Sequence, residues 1–406
     1  MSTNTIQTEA LLQAEVLRLK DKKTIIKQAA NTKYEGALAN QGDTVSVQTF
    51  PDIFGGIGGT AGADIAINSW AIGKEQLEIT DVYQSGVDVK NIEEIQSNLN
   101  LGNQIANRFA FASANHEDQY TASFARFANS NNKIGNLAPI TLSSTNTYST
   151  YTQINQKLSE NNAEGVRMLF VSPAIKRQMK LDNILGSTDT GLGMRLRGLI
   201  GEFDGLQVME TNNLPHVKTL TVDTQITATD TMLIDGLVAN TTSRVGFDTN
   251  TVTFTFKANA GATNPGDISI GADLAAAKQN IIDAINGTGT PGASTYIEMS
   301  TANRNSFKNA FISASTAFVS DVINVQSSRT TAMTETFTAG TNIFGVDAVL
   351  SFAVDNQAIN TVFQEDVFKI TDAELGFRKN ILQEKVYGGK VFDENAKGLA
   401  TVEIVA

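Results

Sequence analysis

Apolar residues recur at Leu12, Val16, Leu19 and Ile26, one stripe of an amphipathic helix over residues 7–29 with lysines on its flanks. The spacing then changes. Beyond the turn signal Gly42-Asp43, Val45 and Val47 alternate with Thr44, Ser46 and Gln48. Glycines follow at 55, 56, 58, 59 and 62, and an extended pattern resumes through Ile65, Ile67 and Trp70. Residues 34–84 therefore predict a long two-stranded excursion with a glycine-rich tip. A ribbon of two strands is not stable alone, and the sequence offers no obvious partner for it within the chain.

Helical spacing returns over 91–129. Ile92 and Ile95 open this region, a turn near Asn98–Asn100 interrupts it, and Ile105, Phe109, Ala112, Tyr120, Phe124 and Phe127 continue it as a helix of about 25 residues, roughly 38 Å long. His116, Glu117 and Asp118 sit together on it and are expected on its solvated face. Next comes a compact α/β unit over 146–215. It has a helix at 151–160, a buried strand Val166–Val171, and a helix capped by Ser172 with Pro173 at its first position. Asp204-Gly205 is a hairpin signal leading into the strand Leu206–Met209.

From about 226 to 344 the chain is rich in Thr, Ala, Asn and Gly. A hairpin or meander, a helix with Leu274, Ala277, Ile281 and Ile285 on one face and Gly287 as its stop, a strand at 294–300, a helix capped by Ser300 with Phe307 and Phe311 paired, and a strand at 317–328 predict a self-sufficient small α/β domain. The earlier style resumes after 345. Gly388-Gly389 reads as a turn or bulge between two C-terminal strands.

The chemistry is sparse. The chain of 406 residues has no cysteine and two histidines, His116 and His216, neither in a ligand-like cluster. Thiolate metal sites, disulfides and cysteine nucleophiles are excluded. Gly56-x-Gly58-x-x-Ala61 lacks the following helix of a dinucleotide fingerprint, and the glycines of "GLIGEFDG" are followed by strand without the Lys-Ser/Thr of a phosphate loop. Ser172 has a complete capping role without a nearby histidine. No catalytic, cofactor or metal residue is assigned, and an enzyme is not expected. Charged residues are 18% of the chain and the net charge is −11, against a dedicated nucleic-acid binder. Residues 1–33 carry six basic and three acidic side chains, net +3, leaving −14 on the rest. The basic N-terminal helix docks on its own domain or on another molecule. No apolar run reaches membrane-spanning length, and the polar N-terminus lacks the form of a signal peptide.

The order of these elements carries a resemblance. A basic arm leads into "NTKYEGALANQGDTVSVQTFPDI", then a glycine-tipped hairpin, "VDVKNIEEIQSNLNL" and a long helix, and later "VRMLFVSPAIKRQM", "GLIGEFDGLQVMETNNLP" and "VYGGKVF". This resembles the major capsid protein of tailed bacteriophages, the Hong Kong 97-type shell fold shared with encapsulins. The resemblance implies an α+β capsid fold. Its parts are an N-terminal arm (1–33), an extended loop (34–84), a peripheral domain with a spine helix (85–145), an axial domain in two parts (146–225 and 345–383), an insertion domain (226–344) and C-terminal peripheral strands (384–406). It implies contacts between subunits through Leu12, Val16, Leu19, Lys22 and Lys23 of the arm and Val45, Val47, Phe50, Phe54, Ile57, Ile65 and Trp70 of the loop. The core of the spine helix would be Ile105, Phe109, Phe124 and Phe127. Implied partners are other copies in hexamers and pentamers, portal, scaffold and decoration proteins, and packaged double-stranded DNA on the inner face, with no membrane and no cofactor. The implied location is a virion assembled in the host bacterial cytoplasm. An encapsulin-like compartment shell and a secreted adhesin or surface-layer protein are the alternatives.

Overall fold

The computed structural model describes residues 12–20, 24–36, 42–49, 73–90, 101–135, 138–163, 165–182, 199–222, 226–235, 251–316, 322–328, 333–336, 343–364, 366–372 and 378–405. The chain divides into two compact units, Met1–Leu19, Asn31–Phe109 and Ile359–Asn395 in the first, and Lys20–Ala30, Ala110–Ala358 and Ala396–Ala406 in the second.

In the second unit the described strands form a ten-stranded mixed sheet. Arg167–Val171 runs parallel to Leu206–Glu210 and antiparallel to Ala348–Asp355, whose other edge is paired with Leu399–Val405. Successive residues in these strands are largely buried because both of their faces are covered. Helices Thr147–Glu160 and Pro173–Leu181 place Tyr151, Ile154, Leu158, Ile175 and Met179 against Leu169, Val171, Val208 and Val402. Ser172 accepts from the Ile175 N–H and Pro173 follows it, as its sequence dictates. Asp204 and Gly205 have φ of 48° and 77°, the positive pair that a two-residue type I′ hairpin requires, and they join Leu199–Phe203 to Leu206–Glu210.

Residues 226–344 contribute a four-stranded sheet ordered Asp267–Ser269, Thr251–Lys257, Thr231–Asp235, Met333–Thr336, covered by helices Leu274–Asn286 and Thr301–Asn309. The strands and core of the expected small domain are not confined to these residues. Ser313–Thr316 and Val322–Ser327 extend the ten-stranded sheet from His216–Thr221, and Phe254, Ile281 and Phe307 share one core with Leu220 and Val222. The strand expected at 294–300 is reduced to one bridge, Ile268 to Tyr296. The helix of Phe307 ends at Asn309, and Phe311 lies beyond it at φ 51° with its ring 5.3 Å from that of His116, so the two phenylalanines do not form a pair on one helix. The first helix follows its signals. Asp273 accepts from Ala276 N–H at 2.8 Å and Gly287 closes the helix at φ 69°. Asp273→Ala is expected to cost about 1 kcal/mol of stability, read as a lower urea midpoint.

In the first unit Arg378–Lys390 is the central strand of a four-stranded antiparallel sheet. Asp81–Lys90 lies along one edge, and Val367–Asp372 and Asn360–Phe363 share the other. Gly388-Gly389 is neither turn nor bulge. The strand passes straight through both, opposite Val362 and Thr361. The long helix Leu101–Ser123 has 23 residues, those up to Phe109 in this unit and the rest in the second, with Phe109 buried and 5.5 Å from Phe368, and Ile105 half-buried. Phe124 is buried, but Phe127 is 46% exposed. The chain tightens after Ser123 into a 3-10 turn, Phe124–Phe127, which carries Phe127 off the buried stripe and leaves its ring under the Arg126 guanidinium at 4.5 Å.

Residues 7–29 are not one helix. Residues 12–20 are helical, Thr24 and Ile25 are not, and Ile26–Ala29 forms a 3-10 turn.

Candidate functional site

The ribbon expected over 34–84 is rooted in an antiparallel pair, Thr44–Thr49 with Gly73–Glu78. Its register puts Val45 opposite Leu77 and Val47 opposite Glu75, while Thr44, Ser46, Gln48, Lys74, Gln76 and Glu78 take the other face. Period-two alternation thus gives one apolar and one polar face. The apolar face does have a partner within the chain. Leu77 and Ile79 are fully buried with Val362 and Phe392, and Tyr34, Val45, Val47 and Val386 pack around them. Burying Leu77 alone contributes about 1.5–3 kcal/mol.

Polar contacts fix the same root. Glu75 accepts from Lys390 Nζ at 3.2 Å and from the Asp393 N–H at 3.1 Å. Gly42 N–H donates to Ile79 O at 2.8 Å, and Ile79 N–H to Asp43 O at 3.2 Å. The preceding segment is tied down as well, with Asn31 N–H donating to Ile359 O at 2.7 Å and Asn31 Nδ2 to Asn360 Oδ1 at 2.9 Å. Gly388 lies directly beneath the ribbon: a Cβ there would be 2.2 Å from Glu78 O and 2.9 Å from Ile79 Cα. Phe50, Phe54, Ile57, Ile65 and Trp70 lie outside the described residues.

In the arm, Val16 is fully buried, while Leu12 and Leu19 are half-buried. Lys22 and Lys23 lie outside the described residues. The expected solvated face of the long helix is instead an interior one. Glu117 is 0% exposed and Asp118 1%. The arm is what covers them. Lys20 Nζ and Lys27 Nζ reach the two Glu117 oxygens at 3.1 and 3.2 Å, and Asp118 accepts from the N–H groups of Ile25, Ile26 and Lys27 at 3.0–3.1 Å. Burial pushes the Asp118 carboxyl up to about 6 against these hydrogen bonds, and the neighbouring Glu117 charge adds to the rise. Nothing in the local spacing of the helix announces this pair. The signal was the run of lysines 90 or more residues earlier.

Rooting, clamping and packing are the chemistry on display. Among the described residues no group of three or more His, Asp or Glu is placed to hold a metal ion, and no helix is long and apolar enough to cross a membrane. His216 pairs with Asp347 at 3.3 Å, far in sequence from His116.

No protein-family model matches the chain, and no curated protein does. Solved structures do. The chain is similar to the capsid of Ralstonia phage GP4 with a TM-score of 0.50 and 9% identity, over 95% of this chain and 92% of that one. It is similar to a structure from Mycobacterium phage Che8 (TM-score 0.49, 14% identity, 93% and 90% covered) and to a virus-like particle from Pyrococcus furiosus (0.43, 9%, 97% and 98%). At such identities the likeness is one of fold. The mixed α+β architecture described above is a fold that the chain shares with the Ralstonia phage GP4 capsid.

Proposed function

We propose that the chain is the structural subunit of a shell, the major capsid protein that builds the icosahedral head of a tailed bacteriophage around double-stranded DNA. The fold likeness to the Ralstonia phage GP4 capsid along 95% of the chain carries this reading. The rooted ribbon supports it. Thr44–Thr49 and Gly73–Glu78 are anchored to their own subunit, and in the proposed shell the residues between them lie across a neighbouring copy through Phe50, Phe54, Ile57, Ile65 and Trp70. Stable protein interfaces bury about 1,200–2,000 Å², and a shell repeats each contact many times. The arm, extended loop, spine helix, axial domain and insertion take the Hong Kong 97-type roles. Hexamers and pentamers of the chain, with portal, scaffold and decoration proteins, make the virion in the host cytoplasm, and the subunit performs no catalysis.

Deleting Phe54–Asp64 tests the reading. The variant is expected to keep the circular dichroism and urea midpoint of the intact chain within about 1 kcal/mol while forming no closed particles by negative-stain microscopy. Normal particles from the deletion would overturn the role given to the ribbon. Particles of the intact chain isolated from its natural source that hold a protein cargo and no DNA would move the reading to a compartment shell.

A further inference from the structure

We propose that Glu117 and Asp118 form a two-carboxylate latch that holds Lys20 and residues 24–30 to the subunit in one register. The inference concerns the single subunit and holds whether or not the chain builds shells. Three observations carry it. The first is the division of labour between neighbouring acids. Glu117 takes the side-chain charges of Lys20 and Lys27, seven positions apart, and Asp118 takes the three successive backbone N–H groups of Ile25, Ile26 and Lys27. Two cations at that spacing meet one carboxylate in a single alignment only, and a slip of one residue would separate both from it. The second is the capping of the 3-10 turn Ile26–Ala29. Its N-cap Ile25 has no side-chain oxygen to offer, and Asp118 supplies the acceptor from more than 90 residues away.

The third is the choice of charge. Lys20 is 4% exposed, Glu117 0% and Asp118 1%, and an apolar packing of the same volume would hold the segment at least as tightly. A buried ion pair adds registry, because losing one partner strands the other charge in the interior. The boundary between the two compact units falls at the same place, between Leu19 and Lys20.

The test uses the full chain and two readouts, hydrogen exchange at the amides of Ile25, Ile26 and Lys27, and the rate of tryptic cleavage after Lys20 and Lys27. Glu117→Gln is expected to raise both cleavage rates at least tenfold. Asp118→Ala is expected to speed exchange at the three amides at least tenfold. In both variants, protection of Arg167–Val171 and Leu399–Val405 stays at the level of the intact chain. Asp118→Asn, which keeps an acceptor oxygen, is expected to restore most of the protection. Unchanged rates in Glu117→Gln and Asp118→Ala would overturn the proposal. So would an equal loss of protection throughout the sheet, which would mean that the two acids support the whole unit and do not latch the arm. An Asp118→Asn chain as open as Asp118→Ala would show that hydrogen bonding to the segment is not what holds it, and would overturn it too.

Discussion

Gly388→Ala is expected to destabilise the subunit by about 3 kcal/mol or more and to abolish particle formation, with the urea midpoint and negative-stain images as the two measurements. The added Cβ would lie 2.2 Å from Glu78 O, 2.9 Å from Ile79 Cα and 3.0 Å from Glu78 C, all backbone atoms with no rotamer to turn away. Either the central strand Arg378–Lys390 bows away from Val362, its partner at this position, or the ribbon root lifts. Lifting the root strips cover from Leu77 and Ile79 and pulls Glu75 from Lys390. Two other glycines calibrate the effect. A Cβ on Gly86 meets Leu382 Cδ2 at 3.0 Å, the end of a side chain that can rotate, and one on Gly36 meets nothing within 4 Å. Gly36→Ala is expected to stay within about 0.5 kcal/mol of the parent. A Gly388→Ala chain as stable as Gly36→Ala would mean that the ribbon root is free to give way and is not clamped.

Features set by a few consecutive residues were legible in the sequence. Ser172-Pro173 starts a helix, Asp204-Gly205 turns a hairpin, and Asp273 and Gly287 bracket a helix, because each of these residues satisfies or shapes backbone within three positions of itself. The alternation of Val45 and Val47 likewise gave the ribbon and its two faces. What escaped was set by partners distant in sequence. Glu117 and Asp118 look like a solvated helix surface until residues 20–30 are laid on them. The pair Gly388-Gly389 looks like a turn because the reason for the missing side chain at Gly388 is a carbonyl 310 residues earlier, that of Glu78. The shared core of 226–344 was hidden for the same reason. The apolar residues of Val322–Ser327 are as suited to a domain of their own as to the edge of His216–Thr221. In the candidate site the strand pairing at the ribbon's root was legible, but its anchorage was not.

Lowering the pH from 9 to 5 is expected to stabilise the chain, and Glu403→Gln to remove much of that dependence. Glu403 lies on Leu399–Val405 opposite Leu350 and is 4% exposed, inside the ten-stranded sheet. Burial pushes its carboxyl up to about 8, and the Lys133 charge counters this only in part, since burial holds the Lys133 ammonium below its ordinary value as well. The folded chain therefore binds a proton at Glu403 over a range in which the unfolded chain, with its carboxyl near 4.5, has released it. The stability tied to this proton is fully present below about pH 4.5 and is lost as the pH rises through about 8. At about 1.4 kcal/mol per pH unit, the loss reaches on the order of 3–5 kcal/mol across the window. Asp118 contributes in the same direction between 3.8 and about 6, a lower window that leaves the span above pH 6 to Glu403. Urea midpoints at pH 5, 7 and 9 separate the two. The glutamine variant should match the parent at pH 5 and exceed it by several kcal/mol at pH 9, because a neutral amide carries no charge into the sheet interior. Parallel pH profiles for the two chains would show that Glu403 reaches water in the folded state, and that the strand bearing it opens more readily than its burial implies.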